Sequence, residues 1–283
     1  MTLHDPRLTP ARPDLAALHL RGIVEASRFV EGQARRVIAT SAPVRKEPSP
    51  EASLTTEALF GETVTVYETT EEGWAWGQLD ADGYVGWLPA EALGALGLPA
   101  THKVSALRTP VFPGPSIKLP PLELLSFGAR VAIVEMRERF AVTQEGGFIF
   151  GNHLAPLDSV EPDFVAVAAH FLGAAYLWGG RSSLGLDCSG LVQVALAAAG
   201  LKAPRDSDMQ EHALGAPVAF DGDLSVLRRG DLIFWPGHVG IVEDRDTLLH
   251  ATAAYMSVVR EPLAAALKRI EAASAPVRSV RRL

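Results

Sequence analysis

Cys188 is the only cysteine among 283 residues, so an internal disulfide is excluded and the thiol is free for other work. It stands in Asp187-Cys188-Ser189-Gly190, directly ahead of the apolar run Leu191 to Leu196. That order places the sulfur at a helix N-terminus, where the partial positive charge favours thiolate over thiol. Small neighbours leave it approachable. A nucleophilic cysteine needs a base that takes its proton and returns it to the leaving amine, and histidine suits that role near neutral pH. Of the eight histidines, only His238 and His250 fall in the strand-like segments that follow the cysteine helix. His238 follows the turn Pro236-Gly237 at the start of a strand, and His250 lies twelve residues on. Neighbouring antiparallel strands can bring both rings to one face, with His250 orienting His238. On pattern alone two readings stand side by side: a catalytic pair, or a strand-capping histidine beside a satisfied core histidine. A zinc site from one cysteine and two histidines is the weakest reading, because neither C-x-x-C nor H-x-x-x-H spacing occurs around them.

These residues need a scaffold. Residues 159–283 change to a helical period after Pro162, with helices expected over 163–175 and 188–199. Strands are expected at 231–235, 238–243, 247–251 and 277–280, and a short helix at 261–270. Helices followed by antiparallel strands indicate an α+β domain. Upstream, residues 36–96 contain short β-type runs at 37–40, 63–67, 73–79 and 84–88, separated by turn signals, the pattern of a small barrel. Residues 97–158 repeat that order: Leu59-Phe60-Gly61-Glu62-Thr63-Val64 is echoed at Ser126-Phe127-Gly128-Ala129-Arg130-Val131. Residues 1–35 form an arm, with a short helix expected from Pro13.

Composition excludes several classes. A net charge of −7 disfavours a general nucleic-acid binder or a protein that docks on anionic lipid. No apolar stretch reaches a spanning length, and the N-terminal residues lack the order of an export signal. With a single cysteine, a cytoplasmic location is expected.

Six blocks in order carry a resemblance. They are Tyr176-x-Trp178-Gly179-Gly180, Asp187-Cys188-Ser189-Gly190-Leu191-Val192, Pro204-Arg205-Asp206-Ser207-x-x-Gln210, Gly230-Asp231-Leu232-Ile233-Phe234-Trp235, His238-Val239-Gly240-Ile241 and His250-Ala251. Together they resemble the NlpC-type cell-wall cysteine peptidases. The resemblance implies a papain-like catalytic domain preceded by two small all-β SH3-like barrels. It makes Cys188 the nucleophile, His238 the base and His250 the third member, with the Cys188 N–H and Tyr176 beside the oxyanion. SH3-like domains ahead of such a core resemble the γ-D-glutamyl-L-diamino acid endopeptidases. That implies a substrate with a free N-terminal L-Ala, bound by Asp187, Ser189, Ser207 and Tyr84. A barrel carboxylate, Glu47, Glu51 or Glu57, would pair with the substrate ammonium. No cofactor or metal is implied, and the partners expected are peptidoglycan-derived peptides. Other readings stay open: Asp187 as a helix cap alone, Tyr84 and Tyr176 as packing aromatics, Arg205 as a structural ion-pair partner, a non-catalytic wall-peptide binder, or an amidase or acyltransferase on the same fold.

Overall fold

A computed structural model describes residues 5–283. The chain divides into two compact units, residues 1–158 and 159–283. Among the described residues no helix is long and apolar enough to cross a membrane.

In the first unit a seven-stranded sheet runs in the order Leu54–Leu59, Ser41–Arg45, Val85–Pro89, Trp74–Leu79, Thr63–Thr69, Gln33–Val37 and Leu93–Gly94. Alternate residues face inward: Val64 and Val66 are buried while Thr63 and Thr65 are not. Val37, Val44, Ala58, Leu79 and Leu88 join them in one core. The sheet takes in Gln33, so the arm is shorter than residues 1–35. Nor does the arm hold the helix expected from Pro13. Leu15–Ala17 is a strand paired in parallel with Arg28–Val30, and Leu18–Leu20 is a single 3-10 turn. All three residues of that strand are buried, and Leu15 packs on Trp76 and Trp87. A segment enclosed on every side gains more from strand pairing than from a one-sided helix.

Residues 102–156 form three small antiparallel sheets around Val104, Val111, Leu125, Val131 and Ile149. Their pairings repeat those of the first sheet. His102–Val104 pairs with Arg130–Val131 and with Leu154–Pro156, as Gln33–Val37 pairs with Thr63–Thr69 and with Leu93–Gly94. A 3-10 turn precedes the last strand in both, at Ala90–Ala92 and Gly151–His153.

The second unit holds helices α1 (Phe164–Ala169), α2 (Cys188–Ala198), α3 (Ser207–Ala213) and α4 (Leu263–Ala273). Besides a short hairpin of Arg181–Ser182 with Gly185–Leu186, its strands are β1 (Ala216–Val218), β2 (Leu232–Trp235), β3 (His238–Asp244), β4 (Thr247–Thr252), β5 (Ser257–Pro262) and β6 (Ser279–Arg282). They form one sheet in the order β1-β6-β2-β3-β4-β5. Helix α2 packs on β3 and β4 and is buried along almost its whole length, which is why its sequence is a continuous apolar run rather than an amphipathic one. Helix α4 covers the other part of the core, where Leu263, Ala266 and Ile270 meet Trp235, Val242 and Leu248. Helix α1 stops at Ala169, short of the expected 175, with the Asp163 carboxylate capping it through the Val165 and Ala166 N–H groups. The helix expected over 261–270 begins instead at Leu263, because residues 257–262 are the edge strand β5.

Candidate active site

The loop leading to α2 is built around a buried ion pair. Asp187 caps the helix: its Oδ1 accepts from the Gly190 N–H at 2.7 Å. Its Oδ2 accepts from the Gly179 N–H at 2.8 Å, tying the glycine loop to the helix start. Arg205, 1% exposed, donates to both Asp187 oxygens at 2.9 and 2.7 Å, to Ser189 Oγ at 2.9 Å and to the Gly180 carbonyl at 3.2 Å. Gly190 is required by the same packing, since a Cβ there would lie 2.2 Å from the Gly180 carbonyl oxygen. Asp187 is therefore occupied by groups of its own chain, and Ser189 is held in the same network. The Gln210 amide donates to the carbonyls of Ser189 and Pro204, both at 2.9 Å, and fixes the return of the chain past the helix start. Ser207 is half-buried at the first position of α3.

Cys188 thus opens α2 at 6% exposure. Its Sγ lies 4.0 Å from the carbonyl oxygen of Gly237, the residue before His238. The N–H groups of Val239 and Ser189 also point to the sulfur. Two effects oppose each other there. A helix N-terminus stabilises an anion by about 1 kcal/mol. Burial acts the other way and is the larger: with the Asp187 carboxylate adding to it, it pushes the thiol up to about 12, a penalty on the thiolate on the order of 4 kcal/mol. Burial wins, and the resting sulfur is a thiol, not the thiolate that its place at the helix start suggests.

The base side follows from strand register. Val242 pairs with Leu248, and Leu248 pairs with Glu261. His238, His250 and Glu261 stand at even spacings from these positions, so all three share one face of the sheet. His238 Nε2 lies 2.9 Å from His250 Nδ1, with the rings nearly edge to face at 5.1 Å. His250, 1% exposed, reaches Glu261 Oε2 through Nε2 at 3.2 Å. Arg269 of α4 grips both oxygens of Glu261 at 2.8 and 2.7 Å. Burial lowers His238 to about 3 and His250 to about 4, so both rings are neutral at physiological pH. Trp235, paired with His238 across the β2–β3 hairpin, lays its ring 5.5 Å from the imidazole.

Tyr176 is half-buried beside this site. Desolvation, with the Asp187 carboxylate adding to it, pushes its hydroxyl far above the ordinary tyrosine range, so it stays protonated and able to donate. Among the described residues no group of three His, Cys, Asp or Glu is arranged to hold a metal ion.

The structure therefore places Cys188, His238, His250, Tyr176, Asp187, Ser189 and Ser207 in the second unit, with Cys188, His250, Asp187 and Ser189 buried and the other three half-buried. Tyr84 belongs to the first unit. There it is 5% exposed and lines a cavity of about 690 Å³ with Trp76, Trp87 and Arg12, whose guanidinium stacks on both indoles at 4.4 and 4.8 Å. Of the three candidate carboxylates, Glu57 is buried at 5% exposure, whereas Glu47 and Glu51 are exposed. Sequence reasoning missed Glu261, Arg269 and Trp235. Trp235 was within reach, as the residue facing His238 across a two-residue turn. Glu261 was hidden because residues 257–262 were not recognised as a strand.

Residues 173–269 match the NlpC/P60 family, and residues 44–93 match the bacterial dipeptidyl-peptidase SH3 domain. A dipeptidyl-peptidase 6 from Lysinibacillus sphaericus is 27% identical over 239 residues, 76% of this chain and 86% of that protein. A γ-D-glutamyl-L-lysine dipeptidyl-peptidase from Bacillus subtilis is 29% identical over 226 residues, 72% of this chain and 74% of that one. Among solved structures, an NlpC/P60 family protein from Bacillus cereus superposes with a TM-score of 0.73 at 21% identity, over 88% of this chain and 99% of that one. The second unit thus has the papain-like fold of NlpC/P60 proteins, with mixed helix and strand.

Proposed function

Because the chain carries an NlpC/P60 domain behind a bacterial dipeptidyl-peptidase SH3 domain, we propose that it is a cysteine peptidase cutting the γ-D-Glu–diamino acid bond of peptidoglycan-derived peptides with a free N-terminal L-Ala. One observation carries the reading. A buried thiol at a helix start touches the carbonyl next to His238, and His238 is hydrogen-bonded to His250. Relatives named dipeptidyl-peptidases support the free amine, since releasing a dipeptide requires counting from an unblocked N-terminus.

With thiol and imidazole both neutral at rest, the proton moves as the bond forms. Cys188 Sγ attacks the γ-carbonyl carbon while His238 takes the thiol proton. The carbonyl oxygen becomes an oxyanion beside the Cys188 N–H, which at the first turn of α2 has no helical carbonyl to bond. The Tyr176 hydroxyl is the second donor. His238 then protonates the leaving amine, the C–N bond breaks, and water hydrolyses the thioester to free acid and thiol. Asp187 and Ser189 act by shaping the loop that receives the dipeptide, with Ser207 at its margin. In the first unit, the buried Glu57 and Tyr84 are the residues we assign to recognition of the free ammonium. The recurring strand pairings over 102–156 support a second SH3-like barrel, giving a first barrel that starts at Gln33 and runs to 96, a second at 97–158 and the peptidase domain at 159–283. We place the reaction in the cytoplasm, on recycled peptides, a location that cell fractionation tests.

The deciding experiment incubates the protein with L-Ala-γ-D-Glu-L-Lys, its meso-diaminopimelate counterpart and the N-acetylated form of each. Cleavage of the free peptides, loss of it in Cys188→Ala, and at least a hundredfold weaker cleavage of the acetylated forms are expected. Equal cleavage of free and acetylated peptides refutes the free-amine rule. Binding without cleavage by the wild-type protein favours a wall-peptide-binding role instead.

A further inference from the structure

The hydrogen bonds behind His238 run in one direction. Glu261 is 6% exposed and paired through both oxygens with the Arg269 guanidinium, a bidentate ion pair that keeps it an ionised carboxylate. An ionised carboxylate has no proton to give, so at the 3.2 Å contact His250 Nε2 is the donor. A neutral imidazole with its proton on Nε2 has a lone pair on Nδ1. His250 Nδ1 therefore accepts across the 2.9 Å contact, and His238 Nε2 donates. The proton of neutral His238 is then on Nε2, and its lone pair is on Nδ1, the ring nitrogen not engaged by His250.

We infer that Glu261, clamped by Arg269, is a positioning residue that sets the tautomer of His238 by ordering the protons of the His250 bridge. This rests on the peptidase reading above and goes beyond it: the relay has four members behind the thiol, and its polarity is decided at the end farthest from the chemistry. Without an obligate acceptor at Glu261, His250 can carry its proton on Nδ1 and donate to His238. The unengaged nitrogen of His238 would then bear the proton and could not serve as a base. The placement follows from β5. Glu261 pairs with Leu248 on the adjoining strand, so it is the diagonal neighbour of His250 on the same face, and α4 begins two residues later and delivers Arg269 to it.

The test joins a spectroscopic and a kinetic readout. Long-range ¹H–¹⁵N correlation on the ¹⁵N-labelled full-length protein at pH 7 reports which nitrogen of each ring is protonated. Both His238 and His250 are expected as the Nε2–H tautomer in the wild type. In Glu261→Gln, whose amide can donate as well as accept, His238 is expected to show a mixture of tautomers. Its kcat should fall about tenfold with KM within twofold, since one orienting contact of a general base is weakened rather than the base removed. Arg269→Gln keeps the carboxylate but frees it, and a smaller fall in kcat with the wild-type tautomer is expected. A wild-type His238 protonated on Nδ1 overturns the inference, as does a Glu261→Gln variant with wild-type kcat and tautomers. If Glu261→Gln does not fold, the wild-type tautomers and Arg269→Gln decide. Absence of peptide cleavage by the wild type would sink the peptidase reading alone, because the tautomers are read without substrate.

Discussion

Replacing Arg205 by Met should cost the second unit about 3 kcal/mol of stability. Its guanidinium is 1% exposed and donates to both oxygens of Asp187, to Ser189 Oγ and to the Gly180 carbonyl. Removing one partner of a buried ion pair typically costs about 3–5 kcal/mol, because the other charge is left without its counter-ion. The low end applies here. Asp187 keeps three donors in the variant, the N–H groups of Gly179 and Gly190 and the Ser189 hydroxyl. Methionine fills much of the vacated volume with flexible apolar atoms. Urea unfolding followed by tryptophan fluorescence measures the loss as a lower midpoint at unchanged slope. The control is the pair Arg205→Met with Asp187→Asn, in which no unpaired charge remains. A coupling of about 2 kcal/mol, the double variant being more stable than the two single losses sum to, is expected. A loss under about 1 kcal/mol in Arg205→Met, or additive losses in the pair, would refute the idea that this ion pair holds the nucleophile loop.

Two further outcomes follow from the neutral thiol and imidazoles. Alkylation of Cys188 by iodoacetamide should be slow at pH 7 and keep rising above pH 9, since burial pushes the thiol up to about 12; a plateau reached below pH 8 would contradict a buried neutral thiol. His238 and His250 are lowered to about 3 and about 4, below the unfolded value of about 6.5. In that interval the unfolded chain binds protons that the folded one does not, so stability is lost as pH falls from 6.5 towards 4. The slope of unfolding free energy against pH in that window should be shallower in His250→Gln; an unchanged slope would show that this histidine is not the group being titrated.

Much of the site was legible because short-range physics placed it. A polar cap, a small residue and an apolar run mark where α2 begins, and Pro236-Gly237 marks the hairpin that starts with His238. What escaped depended on pairings that no local signal announces. Ser257–Pro262 reads as a helix approach because Pro262 and the alanines after it suit a helix start, yet its residues pair with Thr247–Thr252. The arm was misread for a related reason: Leu15–Ala17 has a helical composition but is enclosed by Trp76 and Trp87, whose positions only the folded barrel supplies. The state of the thiol was the subtlest case. The helix start was visible in the sequence and favours thiolate, while the burial that outweighs it is a property of the packed core.

The base, its bridge, the carboxylate and the clamp all come from one unbroken run, His238 to Arg269. The nucleophile and its ion pair come from another, Gly179 to Gln210. Between the two runs lies an exposed turn around Asp221 and Gly222, beyond the edge strand β1. Evolution can therefore lengthen, shorten or decorate that turn without displacing any proton-carrying atom.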